Sequence, residues 1–251
     1  MKQNFLFKNL FKFCFAVLVS VYYLAVPVLS FSGILNTKHN FSASAPSENV
    51  VRAQSETQVC IFCHTPHNAN PSVPLWNHEL SGVVNYTNYW KDTLQSYSSE
   101  AEAPPIDGFS KLCLSCHDGT IAIGMIVSGP EIKMAPSSHL TDGRLNQTAT
   151  GYGYIGTDLS GGHPVSIIFN QTLRDLRRQN VPDAIQLNWP VVDRDVKLYP
   201  TQGGYGVQCP SCHDPHGTKA PASEAPLWRK DTYDAVCLVC HDISISDIWQ
   251  Y

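Results

Sequence analysis

The chain has 251 residues, a formal charge of −4 and only 15% charged residues, below the roughly 25% usual for soluble domains. Seventeen prolines and sixteen glycines argue against a long-helix bundle or a coiled coil, and 17 basic against 21 acidic residues leave no basic footprint for a nucleic acid. Nine cysteines and ten histidines are the unusual counts, and the reading turns on them.

Met1 to Lys12 carries Lys2, Lys8 and Lys12 and no acid, and an apolar run from Phe13 to Leu29 ends in Ser30-Phe31-Ser32-Gly33. This is the pattern of a secretory signal peptide at 1–32, cut after Ser30 or Ser32. An uncleaved membrane anchor is the rival reading, because the apolar run is on the long side. A lipoprotein is disfavoured, since Cys14 follows Lys12-Phe13 and no small-residue lipobox. Cleavage removes Cys14 and three lysines and takes the charge from −4 to −7. No later stretch is apolar enough to span a bilayer. The mature protein is therefore expected to be secreted, extracellular or at the cell surface.

Residues 33–59 read as a polar, mobile arm rich in Ser, Asn and Ala, with His39 inside it. Beyond it the eight remaining cysteines form four pairs, each followed at once by histidine: Cys60-Ile-Phe-Cys63-His64, Cys113-Leu-Ser-Cys116-His117, Cys209-Pro-Ser-Cys212-His213 and Cys237-Leu-Val-Cys240-His241. C-x-x-C-H is the attachment signal for c-type haem. Two thiols on one tight turn add across the two vinyl groups of a porphyrin, and the adjacent imidazole becomes the proximal iron ligand. Four disulfides or zinc ribbons would not require a histidine after every pair. Four covalently attached c-type haems are the expected cofactors.

Six histidines remain for the opposite faces of the irons: His39, His67, His78, His139, His163 and His216. Past the signal only Met125 and Met134 are left, so mostly bis-His iron is expected. Internal repetition selects among the six. His64-Thr-Pro-His67 and His213-Asp-Pro-His216 share one pattern, and each leads to a Pro-Leu-Trp, at 74–76 and 226–228. Each then reaches Cys-Leu-x-Cys-His-Asp, ending at Asp118 and Asp242. The tetrahaem domain at 60–251 thus reads as duplicated di-haem units, 60–117 and 209–251, separated by an insert at 118–208. One further histidine precedes each unit, giving distal pairs His39 with His67 and His163 with His216. His78 and His139 have no counterparts and read as solvated or propionate-bonding imidazoles, with replacement of one of the four distal ligands by either as the alternative. His67 and His216 follow a proximal His too closely to share its iron, so each should reach a neighbouring haem.

Secondary structure signals are short. Asn170 caps a helix from Gln171 to Gln179 with Leu173 and Leu176 on one face, and the Gly-Tyr-Gly stretch 151–156 and Val191 to Leu198 suggest small strands or hairpins. The fold class is a coil-rich multihaem cytochrome c, a few short helices and small strands wrapped around a chain of four haems. Trp76, Trp90, Trp189, Trp228 and Trp249 should pack against ring faces and edges. Sequons at Asn40, Asn85, Asn146 and Asn170 matter only in a host that glycosylates exported proteins.

These motifs resemble the multihaem c-type cytochromes with doubled C-x-x-C-H and, more narrowly, the OmcE-type tetrahaem cytochromes that polymerise into extracellular nanowires. The resemblance is carried by Asn36 to Ser42, Cys60 to Ala69, Pro74 to His78, Cys116 to Thr120, Gly162 to Val165 and Cys212 to Gly217. It implies a continuous haem chain and one distal histidine donated between subunits of a homopolymer, for which His39 and His67 are the candidates. The expected function is electron transfer as a filament subunit, with other c-type cytochromes as partners. The alternative is a soluble periplasmic tetrahaem shuttle. An enzyme is disfavoured, because catalysis needs an open iron position and six spare histidines serve four irons.

Overall fold

The computed structural model describes residues 33–148, 153–217 and 227–243. The expected signal peptide, the start of the Gly-Tyr-Gly stretch, Pro226 and Trp249 lie outside the described residues. No helix of the described residues is long and apolar enough to cross a membrane.

The chain is coil-rich, and its helices arise where a local signal forces them. Helix α1 (Gly108–His117) carries the second motif at its C-terminal end. Helix α2 (Gln171–Asn180) begins at the expected cap, where Asn170 Oδ1 accepts the Leu173 N–H at 2.9 Å. Leu173 is buried but Leu176 is 39% exposed, so only the first turn of that face is seated. Helix α3 (Cys209–Cys212) is a single turn, and α4 (Tyr233–Cys237) is capped by Thr232 Oγ1, which accepts the Ala235 N–H. The first motif opens on a 3₁₀ turn, Cys60–Phe62. Every C-x-x-C therefore lies in or against a helical turn, where positions three apart share one face.

The strands are β1 (Ile167–Ile168), β2 (Gln186–Leu187), β3 (Tyr199–Thr201), β4 (Gly204–Val207) and β5 (His241–Asp242). One antiparallel sheet has the order β1-β4-β3, with Ile167 opposite Val207 and Tyr199 opposite Gly206. In the other, β2 pairs with β5 and places Leu187 opposite His241. The expected strand over Val191 to Leu198 does not form. Asp193 Oδ1 accepts the N–H groups of Asp195 and Val196, both at 2.8 Å, and this local turn competes with any ladder. The hairpin lies one step later, at β3–β4, where Gln202 and Gly203 both have positive φ, 45° and 81°, the backbone that tight hairpins favour. The described part of the Gly-Tyr-Gly stretch, from Gly153, is also irregular.

The expected mobile arm is packed instead. Thr37, Asn40, Ser42 and Asn49 are all buried. Asn49 Nδ2 donates to the carbonyls of Thr37 and Asn40 at 2.7 and 3.1 Å, and Ala53 N donates to Phe41 O at 2.7 Å. Polar side chains that satisfy backbone groups let a sequence without an apolar pattern fold against the body. Among the described residues the apolar core is divided into three small clusters, the largest formed around Val51, Phe62, Ile123, Ile126, Ile132 and Leu145.

Candidate haem-binding site

The decisive geometry is between imidazoles far apart in sequence. His39 faces His117 with ring centres 6.0 Å apart, His64 faces His216 at 6.2 Å, and His163 faces His241 at 6.1 Å. A metal held between two imidazoles by bonds of about 2 Å sets the ring centres roughly 6 Å apart. Three of the expected proximal histidines thus each face a member of the expected distal set, at a separation that fits bis-His iron. The ring planes are near parallel for His64 and His216, at 17°, and steep for the other two pairs, at 84° and 72°.

The second ring nitrogen supports this geometry. His39 Nδ1 lies 3.1 Å from Pro215 O, His117 Nδ1 2.6 Å from Gly153 O, and His163 Nδ1 2.9 Å from Pro164 O. A carbonyl fixes the proton on Nδ1 and leaves the Nε2 lone pair for a metal. Gly153 can approach this closely because it lacks a side chain. Its φ is +89°, and a Cβ there would lie 2.9 Å from His117 Cε1. Burial, then the neighbouring His117, pushes the pKa of His39 down to about 4, with the Pro215 carbonyl opposing. Burial, then His163 and Arg177, takes His241 to about 4. Burial also lowers His117 and His163. These rings are neutral at pH 7, the form that binds iron.

The two copies hold their motifs with the same backbone ladder. His64 bridges to Trp76 and His213 to Trp228. Thr65 N donates to Leu75 O at 3.0 Å and Asp214 N to Leu227 O at 2.8 Å, while Asn77 N and Arg229 N reach Cys63 O and Cys212 O, both at 2.9 Å. Leu75 and Leu227 even share a positive φ, 62° and 60°. Trp228 stacks on His213 at 4.6 Å, and Trp76 meets His64 edge-on at 6.2 Å. Trp189 packs on Phe169 instead, and Trp90 is 40% exposed.

All eight described cysteines are free thiols. The second and third motifs meet through them. Cys63 is pushed up to about 12 by burial and then by Cys116. Cys212 rises to about 12 through burial, then Cys240 and Cys237. Between them, Cys113 and Cys209 are hydrogen-bonded, which raises Cys113 and lowers Cys209. The buried Gln208 joins the same two motifs. Its Oε1 accepts the Ser110 N–H at 2.8 Å, and its Nε2 donates to Asp107 Oδ1 at 3.0 Å.

The thiols and paired imidazoles fit haem, and one orphaned group supports that fit. The buried Trp76 indole N–H lacks an acceptor among the described residues, and an acceptor such as a haem propionate would satisfy it. His67 is not brought to another imidazole. It is exposed, and no ring contact or ring-nitrogen hydrogen bond engages it among the described residues. Of the readings open for His78, the solvated one is excluded: it is 1% exposed, with Nδ1 3.0 Å from Glu79 O and Nε2 3.1 Å from Ala122 O. Nε2 also lies 3.6 Å from Cys116 Sγ, so the ring is enclosed beside the second motif. His139 is exposed. The repeated His-Asp of three motifs was visible in the sequence, but the role of Asp118 was not. Gly153 and Gln208 carried no motif that could have marked them.

A family model described as "Doubled CXXCH motif" matches residues 201–244, which contain the third and fourth motifs. No curated protein matches the chain. The doubled motif is a feature of multihaem c-type cytochromes and indicates covalently bound c-type haem and electron transfer.

Proposed function

We propose that the chain carries four bis-His c-type haems and conducts electrons as the repeating subunit of an extracellular cytochrome filament. The observation that carries the electron-transfer reading is the set of three imidazole pairs at 6.0–6.2 Å. An iron with two imidazoles has no position for a substrate, so it exchanges electrons and performs no bond chemistry. The Cys113–Cys209 hydrogen bond and the Gln208 bridge set the second and third motifs side by side, which supports a continuous chain of haems.

The filament reading is supported by a difference between the two copies. In the second copy the chain's own arm touches the Pro215-His216-Gly217 loop and buries Gly217, while Pro215 and His216 stay exposed. His39 bonds Pro215 O, and a Cβ on Gly217 would meet Thr37 Cγ2. The equivalent Pro66-His67-Asn68 loop of the first copy is exposed, and nearby Leu75 is 56% exposed against 7% for Leu227. His39 faces His117 within the chain, so His67 is the ligand offered to a second copy. Negative-stain microscopy of haem-positive material sheared from cells, with mass-spectrometric identification, tests the proposal. Filaments of this chain are expected. Only monomers with four low-spin haems at every concentration would favour the periplasmic shuttle.

A further inference from the structure

Beside the second motif lies a charge that neither haem attachment nor iron ligation uses. Asp118 follows His117, is 3% exposed, and closes the C-terminus of α1 with its N–H on Leu114 O at 2.9 Å. Both circumstances oppose a carboxylate. Burial strips its hydration, and a helix C-terminus is the negative end of the helix dipole. The first motif has the neutral Thr65 at the matching position.

The fold offsets this with four donors. Ser81 Oγ and Tyr86 OH donate to Oδ2 at 2.5 and 2.7 Å. The Thr120 N–H and hydroxyl donate to Oδ1 at 2.8 and 2.6 Å. An ionised carboxylate has about four acceptor sites and no donor, so the set matches the anion. The charge reaches both neighbouring haem-holding residues, acting on Cys116 and on His117.

We propose that Asp118 is the potential-setting side chain of the haem carried by His117, a fixed buried anion that favours ferric over ferrous iron at that site. The proposal rests on the haem-binding reading above. One electron converts that ferric haem to ferrous, and Asp118 neither gives nor takes a proton in the step. Charges interact more strongly across a buried site than through water, and burial and second-shell groups are among the means by which a protein sets haem potential.

The test is a spectroelectrochemical titration of the full exported chain, with haem counted by pyridine haemochrome assay and folding followed by thermal melting. Asp118→Asn should keep the haem count and move one component of the titration to higher potential, leaving the others in place. Asp118→Glu keeps the charge, so that component should stay near its parent value even if the melting temperature falls. A fully loaded Asp118→Asn protein with unshifted potentials would overturn the proposal, as would equal upward shifts in the Asn and Glu variants. If Asp118→Asn does not load haem, Tyr86→Phe serves instead. It removes one donor and keeps a less shielded charge, so one component should move down, and no movement overturns the idea. A parent chain without haem would sink the haem-binding reading itself, and the haemochrome assay reveals that before any potential is measured.

Discussion

An imidazole binds iron only if its lone pair faces the metal, so the partner of the opposite ring nitrogen decides which histidines can serve. His39, His117 and His163 each give Nδ1 to a carbonyl, whereas buried His78 has a carbonyl near each nitrogen, of which a neutral ring can donate to one, and Cys116 Sγ 3.6 Å from Nε2. Replacing His163 or His216 by Ala should therefore turn one low-spin haem high-spin in the visible spectrum. His139→Ala should leave the spectrum unchanged, and a high-spin band in that variant would break the assignment. Gly153→Ala is the subtler case. The new methyl meets His117 Cε1 at 2.9 Å, in a backbone conformation with φ of +89° that disfavours alanine. It should lower thermal stability by about 1–3 kcal/mol and weaken the low-spin signal of one haem, measured by melting and by the visible spectrum together.

At the level of elements, the two copies attach to the insert at the same position by different chemistry. His78, two residues after Trp76, reaches Ala122 O, while Lys230, two residues after Trp228, bonds Asp193 Oδ2 at 2.5 Å. Burial opposes the Asp193 charge, but Lys230 and the N–H groups of Val196 and Asp195 outweigh it and hold the carboxyl below the usual range. A depressed folded-state pKa contributes stability that is fully present above the ordinary aspartate value of about 3.9 and is lost as pH falls through the folded value. Asp193→Asn should thus lower the melting temperature at neutral pH by an amount equivalent to at most about 1 kcal/mol. The gap from the parent should close in strong acid. A gap that persists there would mean the contact is not electrostatic. The same aspartate explains a misread element, since its two backbone contacts replace the expected strand over Val191 to Leu198. The Asn170 cap was legible because it acts within one turn.

At the scale of the molecule, the arm decides which histidine is paired within the chain. Packing through Thr37, Asn40 and Asn49 seats His39 opposite His117 and leaves His67 exposed. His67→Ala should abolish polymerisation while four haems remain attached, whereas His39→Ala should change a haem spectrum in the monomer. Electron microscopy with haem counting separates the two, and filaments formed by the His67 variant would refute the donated-ligand idea.

The sequence by itself determined what is local: four C-x-x-C-H turns, their repetition with Trp, and a capped helix at Asn170. These depend on residues within about a turn of one another, so spacing alone specifies them. Only the tertiary structure decided which imidazoles meet, as His64 with His216 or His163 with His241, and that consecutive motifs meet at Cys113 and Cys209. It also buried the arm and enclosed Asp118 in four donors. Most of these contacts, though not those of Thr120, join residues far apart along the chain. They follow from the path the backbone takes and the polar groups it must satisfy, which no local pattern encodes.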